Sequence, residues 1–187
     1  MALTTLDPKT ALIVIDLQKG IVAYPTAHPA AEIVKQASTL ADAFRRHGLP
    51  IVLVNVTGGA PGRTDQARNL GDLPADWAEL VPELNQQLTD HTVTKRTWGA
   101  FTHTDLDEHL KKLSVTQVVI VGVATSIGVE STARYANENG YNVALAVDAM
   151  TDMNPDAHHN SVTRIFPRLG ETGTTQEIID LLDRRSA

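Results

Sequence analysis

The chain is 187 residues long, carries a formal net charge of −6, is 42% hydrophobic and contains no cysteine. That length fits a single domain with a substantial core, and the absence of cysteine excludes disulfides, thiolate metal ligands and a thiol nucleophile together. Lysine and arginine are scattered, no apolar run nears the roughly 20 residues of a membrane span, and the first residues lack the pattern of a secretory leader; the expectation is a cytoplasmic protein that acts on a small molecule, with neither nucleic acid nor membrane as partner.

In chain order, residues 11–15 form a compact apolar run that ends in Asp16, followed by Leu17 and Gln18. Continuous apolar character marks a strand buried on both faces. Over 31–47, Ile33, Ala37, Leu40, Ala41 and Phe44 recur at helical spacing until Gly48-Leu49-Pro50 ends the helix, and 51–56 is a second buried strand. Residues 57–79 hold Gly58, Gly59, Pro61, Gly62, Gly71 and Pro74 without periodicity and read as a long loop, a wall of the site or a subunit contact. A short edge strand over 92–95 ends at Lys95. It is followed by a helix over 105–113, a strand over 117–121, a helix over 126–139 carrying Val129, Thr132, Ala133 and Ala136, a strand over 142–147 and an amphipathic closing helix over 176–184. Such alternation predicts a doubly wound α/β fold, with helices on both faces of a parallel sheet, in one domain.

In an open parallel sheet the ligand crevice lies beyond the carboxyl ends of the strands, so the residues ending each apolar run carry the chemistry. Asp16 reads either as a crevice acid or as a strand-end cap that ties down a loop. Lys95 reads as a surface-turn lysine unless it faces Asp16, where its ammonium would hold the carboxylate ionised and neutralise an anionic substrate. The segment from Gly122 to Gly128 leads into a helix whose first-turn N–H groups can bind an anion or a developing oxyanion. Thr125 or Ser126 reads as that helix's cap, with Glu130 favourable to the dipole. As a nucleophile, Ser126 lacks a Gly-x-Ser-x-Gly elbow and a histidine partner. The seven histidines form no metal motif and read as solvated, and the glycines after residue 57 match neither the dinucleotide nor the P-loop spacing. No metal and no cofactor is expected.

Three motifs in order, Ala11-Leu-Ile-Val-Ile-Asp16-Leu-Gln18, then Thr94-Lys95-Arg96 with Trp98 to Phe101, then Gly122-Val-Ala-Thr-Ser-Ile-Gly-Val-Glu-Ser-Thr-Ala133, closely resemble the isochorismatase-like hydrolases over nearly the whole chain. The resemblance implies a Rossmann-like six-stranded parallel sheet, a homo-oligomer (dimer or tetramer), an acid–lysine–cysteine site in many members, and a cis peptide at Val123–Ala124 that aims backbone N–H groups into the site. The cysteine of amide-cleaving members falls at Gly128, so no acyl-enzyme can form there. The metal-binding Asp-x-His of nicotinamidases falls near Asn55-Val56-Thr57, which offers no imidazole or carboxylate.

Glycine at position 128 is similar to true isochorismatases, which protonate a vinyl ether at its methylene carbon, add water and release pyruvate and a dihydroxy acid. On that resemblance Asp16 is the general acid, Lys95 a carboxylate clamp and Gly128 part of the catalytic backbone. Gln18, Trp98, Phe101, Val123, Ala124 and Ser126 contact substrate, although Trp98 and Phe101 also read as ordinary core aromatics. The glutamine that true isochorismatases carry at the end of the second strand corresponds to about Val56, and their aromatic and histidine after Gly-Val correspond to Ala124 and Ser126. Two other readings stay open: a member that binds a small molecule or acts as an oligomeric scaffold without chemistry, and an amidase that uses Ser126.

Overall fold

Every residue of strand β1, Thr10–Ile15, is buried. Its side chains divide between two cores, with Leu12 and Val14 in one and Ala11, Ile13 and Ile15 in the other. A strand that is apolar on both sides belongs in the middle of a sheet covered on both faces. The computed structural model describes residues 3–66 and 73–185 and places β1 there. After β1 come α1 (Lys19–Val22), α2 (Ala30–Arg46), β2 (Ile51–Val56), a 3-10 turn (Pro82–Leu84), β3 (His91–Lys95), α3 (Leu106–Lys112) and β4 (Gln117–Val123). A π turn (Thr125–Val129), α4 (Glu130–Glu138), β5 (Asn142–Thr151), α5 (Pro155–Asn160), a second π turn (Ser161–Ile165), α6 (Phe166–Leu169), β6 (Glu171–Gly173) and α7 (Thr175–Arg184) complete the chain.

The six strands lie in the order β3-β2-β1-β4-β5-β6 and every neighbouring pair is parallel. One face is covered by α2 and α7, whose Leu40, Phe44, Ile178 and Leu182 pack on Leu12 and Val14. The other is covered by α3, α4 and α6 through Leu106, Leu110, Ala133 and Phe166, against Ile13 and Ile15. This is the doubly wound sheet that the alternation predicts, and its order reverses between β1 and β4, where the loops leave toward opposite faces.

The boundaries differ from the expectation in several places, among them β4, which runs to Val123 rather than 121. Strand β5 runs to Thr151 rather than 147, because Asp148 interrupts the apolar pattern without interrupting the strand: its carboxylate accepts from the Thr175 N–H and hydroxyl at the start of α7. The helix expected over 126–139 opens as the wider π turn and becomes α-helical only at Glu130. Strand β6, three residues long, has no periodicity to find. Within 57–79, the described residues carry no helix or strand, and the end of the segment runs back along the chain after β1, with Lys19 N–H on the Glu79 carbonyl and Gly20 N–H on that of Trp77; residues 67–72 lie outside the described residues.

Gly122 sits opposite Ile15 in the β1–β4 register with a φ of 120°, and a Cβ there would lie 2.0 Å from the Ile15 carbonyl oxygen. Gly122→Ala is expected to cost more than about 3 kcal/mol in urea denaturation, through backbone strain and a backbone clash together. Thr174→Ala, which removes half of the capping box that Thr174 and Glu177 form at α7, should cost about 1 kcal/mol.

Candidate active site

Asp16 leaves the end of β1 with a φ of 52°, a left-handed conformation that aspartate tolerates better than the branched residues before it. Lys95 ends β3 on the same face as buried Val93, so its side chain reaches inward, across the end of β2. The two meet: the Lys95 ammonium donates to Asp16 Oδ2 at 2.6 Å and to the Thr97 carbonyl at 3.2 Å. Both are buried, with 5% of Asp16 and 2% of Lys95 exposed. Asp16 Oδ1 is buried and has no hydrogen-bond partner among the described residues.

This environment acts on Asp16 in opposite directions. Removal from water disfavours the carboxylate, while the lysine charge and hydrogen bond favour it; burial dominates, and the pKa rises from 3.8 to about 6. The lysine therefore does not hold Asp16 as firmly ionised as its charge alone implies.

The turn after β4 closes the other side. The Val123–Ala124 peptide is cis. At Gly128 a Cβ would lie 3.4 Å from Asp16 Oδ2, 3.5 Å from the Val123 carbonyl oxygen and 2.9 Å from a methyl of Ile15. The structure thus brings Asp16, Lys95, Gly128 and the Val123–Ala124 peptide to one place.

Other expected site residues have different surroundings. Neither Thr125 nor Ser126 caps the helix: Ala124 stands at the cap position with no side-chain bond. The Thr125 hydroxyl pairs with His158 Nδ1 at 2.8 Å, and Ser126 directs both its N–H and its hydroxyl to Asp152 Oδ2 at 2.8 Å. Ser126 N–H is consequently not a free donor. Gln18 is fully buried and its amide is spent on backbone, donating to the Val56 and Trp77 carbonyls and accepting from Val56 N–H. It braces the chain after β1 against the end of β2. Phe101 is a core aromatic stacked on Tyr135 with ring centroids 4.7 Å apart, whereas Trp98 stays 57% exposed.

None of the seven histidines is buried, as the solvated reading expects, yet several have side-chain partners. His28 and His158 meet edge to face, His91 and His109 stack with centroids 3.7 Å apart, and His47 bonds Asp183. At the end of β2, the Asn55 amide is held by the Ala78 carbonyl and the Thr94 hydroxyl. Among the described residues, no three His, Asp or Glu side chains are grouped to hold a metal ion. Asp152 is the polar residue that sequence reasoning missed; ending β5 four residues early hid it as a strand-end acid. A groove of about 540 Å³ along the outer side of α2, lined by Val22, Val34, Lys35 and Val81, shares no residue with the Asp16–Lys95 pair. The buried ionic pair, not a hollow, is what marks the site.

Known proteins arrange the same elements in the same order. The isochorismatase domain matches residues 10–177. The chain belongs to the isochorismatase family. This isochorismatase-family chain is 45% identical to the uncharacterized family protein YwoC of Bacillus subtilis, over 92% of its own length and 93% of the relative's. It is 31% identical to nicotinamidase 3 of Arabidopsis thaliana, covering 85% of this chain and 83% of that one. A solved isochorismatase family protein from Burkholderia thailandensis superposes with a TM-score of 0.92 at 40% identity, over 96% of this chain and 98% of the other. Family membership makes the chain an isochorismatase-family hydrolase. Among the described residues, no helix is long and apolar enough to cross a membrane.

A carboxyl whose folded pKa lies above its ordinary value binds protons more tightly when folded, so its contribution to stability is full below pH 3.8 and fades as pH rises through about 6. The wild type is therefore expected to lose stability relative to Asp16→Asn across that interval, as measured by urea denaturation at a series of pH values. Lys95→Met should move the Asp16 midpoint further up, as read from the carboxyl ¹³C shift.

Proposed function

We propose that the chain hydrolyses a small anionic substrate without a covalent intermediate, with Asp16 as general acid, and that a vinyl ether of the isochorismate type fits this chemistry. The observation that carries the reading is a buried carboxyl with a pKa of about 6, bonded through one oxygen to Lys95 and unpartnered among the described residues at the other, facing a glycine at the position to which the family resemblance assigns the thiol of amide-cleaving members. A carboxyl poised near neutrality can both release and recover a proton.

In the forward step the Oδ1 proton of Asp16 passes to the methylene carbon, the C=C electron pair forms the new C–H bond, and the ether carbon becomes an oxocarbenium ion. Water adds to that carbon and returns a proton to the carboxylate. The hemiketal then collapses: its C–O bond to the ring oxygen breaks with the electron pair going to that oxygen, which takes up a proton as the hemiketal hydroxyl gives one up and becomes the ketone carbonyl, giving pyruvate and a dihydroxy acid. When Asp16 carries the proton, Lys95 keeps an unneutralised positive charge in a buried site, which suits a substrate carboxylate. Binding of the anion and protonation of Asp16 thus support each other. The N–H groups beside the Val123–Ala124 peptide and Gly128 supply the neutral donors that orient it. No step in this scheme needs a cofactor.

A turnover screen against isochorismate and a panel of small esters and amides, run beside Asp16→Asn and Ser126→Ala, tests the proposal. Ether turnover is expected, with kcat reduced at least about 100-fold in Asp16→Asn and retained in Ser126→Ala. Because the protonated acid is the reactive form, kcat/KM should decline about tenfold per pH unit above pH 6 or so. Thermal stabilisation by ligands without turnover in either protein would replace the hydrolase with a binding module. Loss in Ser126→Ala with retention in Asp16→Asn would replace it with a serine amidase.

A further inference from the structure

The π turn that carries Gly128 is anchored at its front to the segment after β5. Thr125 is fully buried, and its hydroxyl has one hydrogen bond among the described residues, to His158 Nδ1. Asp152, 3% exposed, takes two bonds from Ser126 on Oδ2, a third from Asn154 N–H on Oδ1, and one from Ala27 N–H on its carbonyl. The chain after β1 is joined to the same cluster, because Thr151 Oγ1 accepts from His28 N–H and pairs with His28 Nδ1, each at 3.1 Å.

Proton accounting assigns the His158 tautomer. A buried hydroxyl hydrogen needs an acceptor, and for Thr125 the acceptor at hand is the His158 Nδ1. The His158 ring is then neutral with its proton on Nε2. Protonating His158 would place two donors face to face at Thr125.

We infer that Asp152 and His158 are positioning residues that hold the Thr125–Val129 turn, and through it Gly128, against Asp16, and that neutral His158 is the holding form. The inference rests on reading Asp16 as the reacting acid. The titratable groups facing His158 are His28 from the chain after β1, Asp152 from the end of β5 and His159 from its own helix; the π turn contributes none. Burial first, and then His28, hold the His158 pKa below 6.5, so the clasp is closed at neutral pH and weakens as pH falls below that value.

The test reads the Asp16 carboxyl by ¹³C NMR in the full chain without substrate, in wild type, His158→Leu, His158→Asn and Asp152→Asn. The Asn Oδ1 overlays histidine Nδ1 and can accept the Thr125 proton. A loosened turn admits water, so the Asp16 midpoint should fall from about 6 by about half a unit or more in His158→Leu and Asp152→Asn, and hold in His158→Asn. In an Asp16→Asn background, the Gly128 amide shift should titrate below pH 6.5, and that inflection should vanish when His158→Asn is added. An unmoved Asp16 midpoint in both disruptive variants, or a drop in His158→Asn as large as that in His158→Leu, overturns the inference. If His158→Leu fails to fold, the other two variants decide it. A silent substrate panel with the midpoint moved as expected would sink the hydrolase reading and leave the clasp; turnover with an unmoved midpoint would sink the clasp alone.

Discussion

One buried contact organises the candidate site, the 2.6 Å bond between the Lys95 ammonium and Asp16 Oδ2. It joins residues 79 positions apart in sequence and exists only because β1 and β3 flank β2 in a parallel sheet that ends all three strands at the same level. Such a pair is poor evidence of stability, since the desolvation of two charges offsets most of their attraction. Here the imbalance is visible on the acid: burial outweighs the lysine, and the carboxyl sits near neutrality in its proton affinity. The scaffold maintains a group that is electrostatically uncomfortable, as reactive sites generally do.

The sheet explains how that discomfort is sustained. Ile13 and Ile15 on one side of β1, and Leu12 and Val14 on the other, are clamped between helices on both faces, so Asp16 cannot relax by letting the strand end move. Gln18 then spends its whole amide on the end of β2 and on the chain that returns from the long loop. The residues just beyond Asp16 are as tightly held as the strand before it.

The sheet class and the strands that lead to Asp16, Lys95 and the turn holding Gly128 were legible because two-sided burial leaves continuous apolar runs, and because strand ends in a parallel sheet converge whatever their distance in sequence. What was not legible was settled by contacts between distant segments. Phe101 read equally as a pocket and as a core aromatic, and its stack on Tyr135 joins segments far apart in sequence. Thr125 and Ser126 had the right chemistry for a helix cap, but their partners, His158 and Asp152, lie about thirty residues away, and no local rule ranks a distant acceptor against a nearby backbone N–H. Asp148 made β5 look short because a polar residue inside a strand resembles a strand end until its partner at α7 is known. The histidines read as solvated because their spacing is irregular; ring contacts such as His91 with His109 come from β3 and α3 packing side by side.

The crowding at Gly128 limits what that position can carry in this chain. A side chain there would begin 2.9 Å from an Ile15 methyl, nearer than real carbon atoms settle, while the carboxylate oxygen stands at 3.4 Å. Restoring a sulfhydryl is for this reason a two-site problem: the isoleucine beneath must yield room before the new group can reach its acid. In this chain a change of reactive atom at Gly128 therefore carries a packing cost in the core, which a smaller residue at position 15 would relieve.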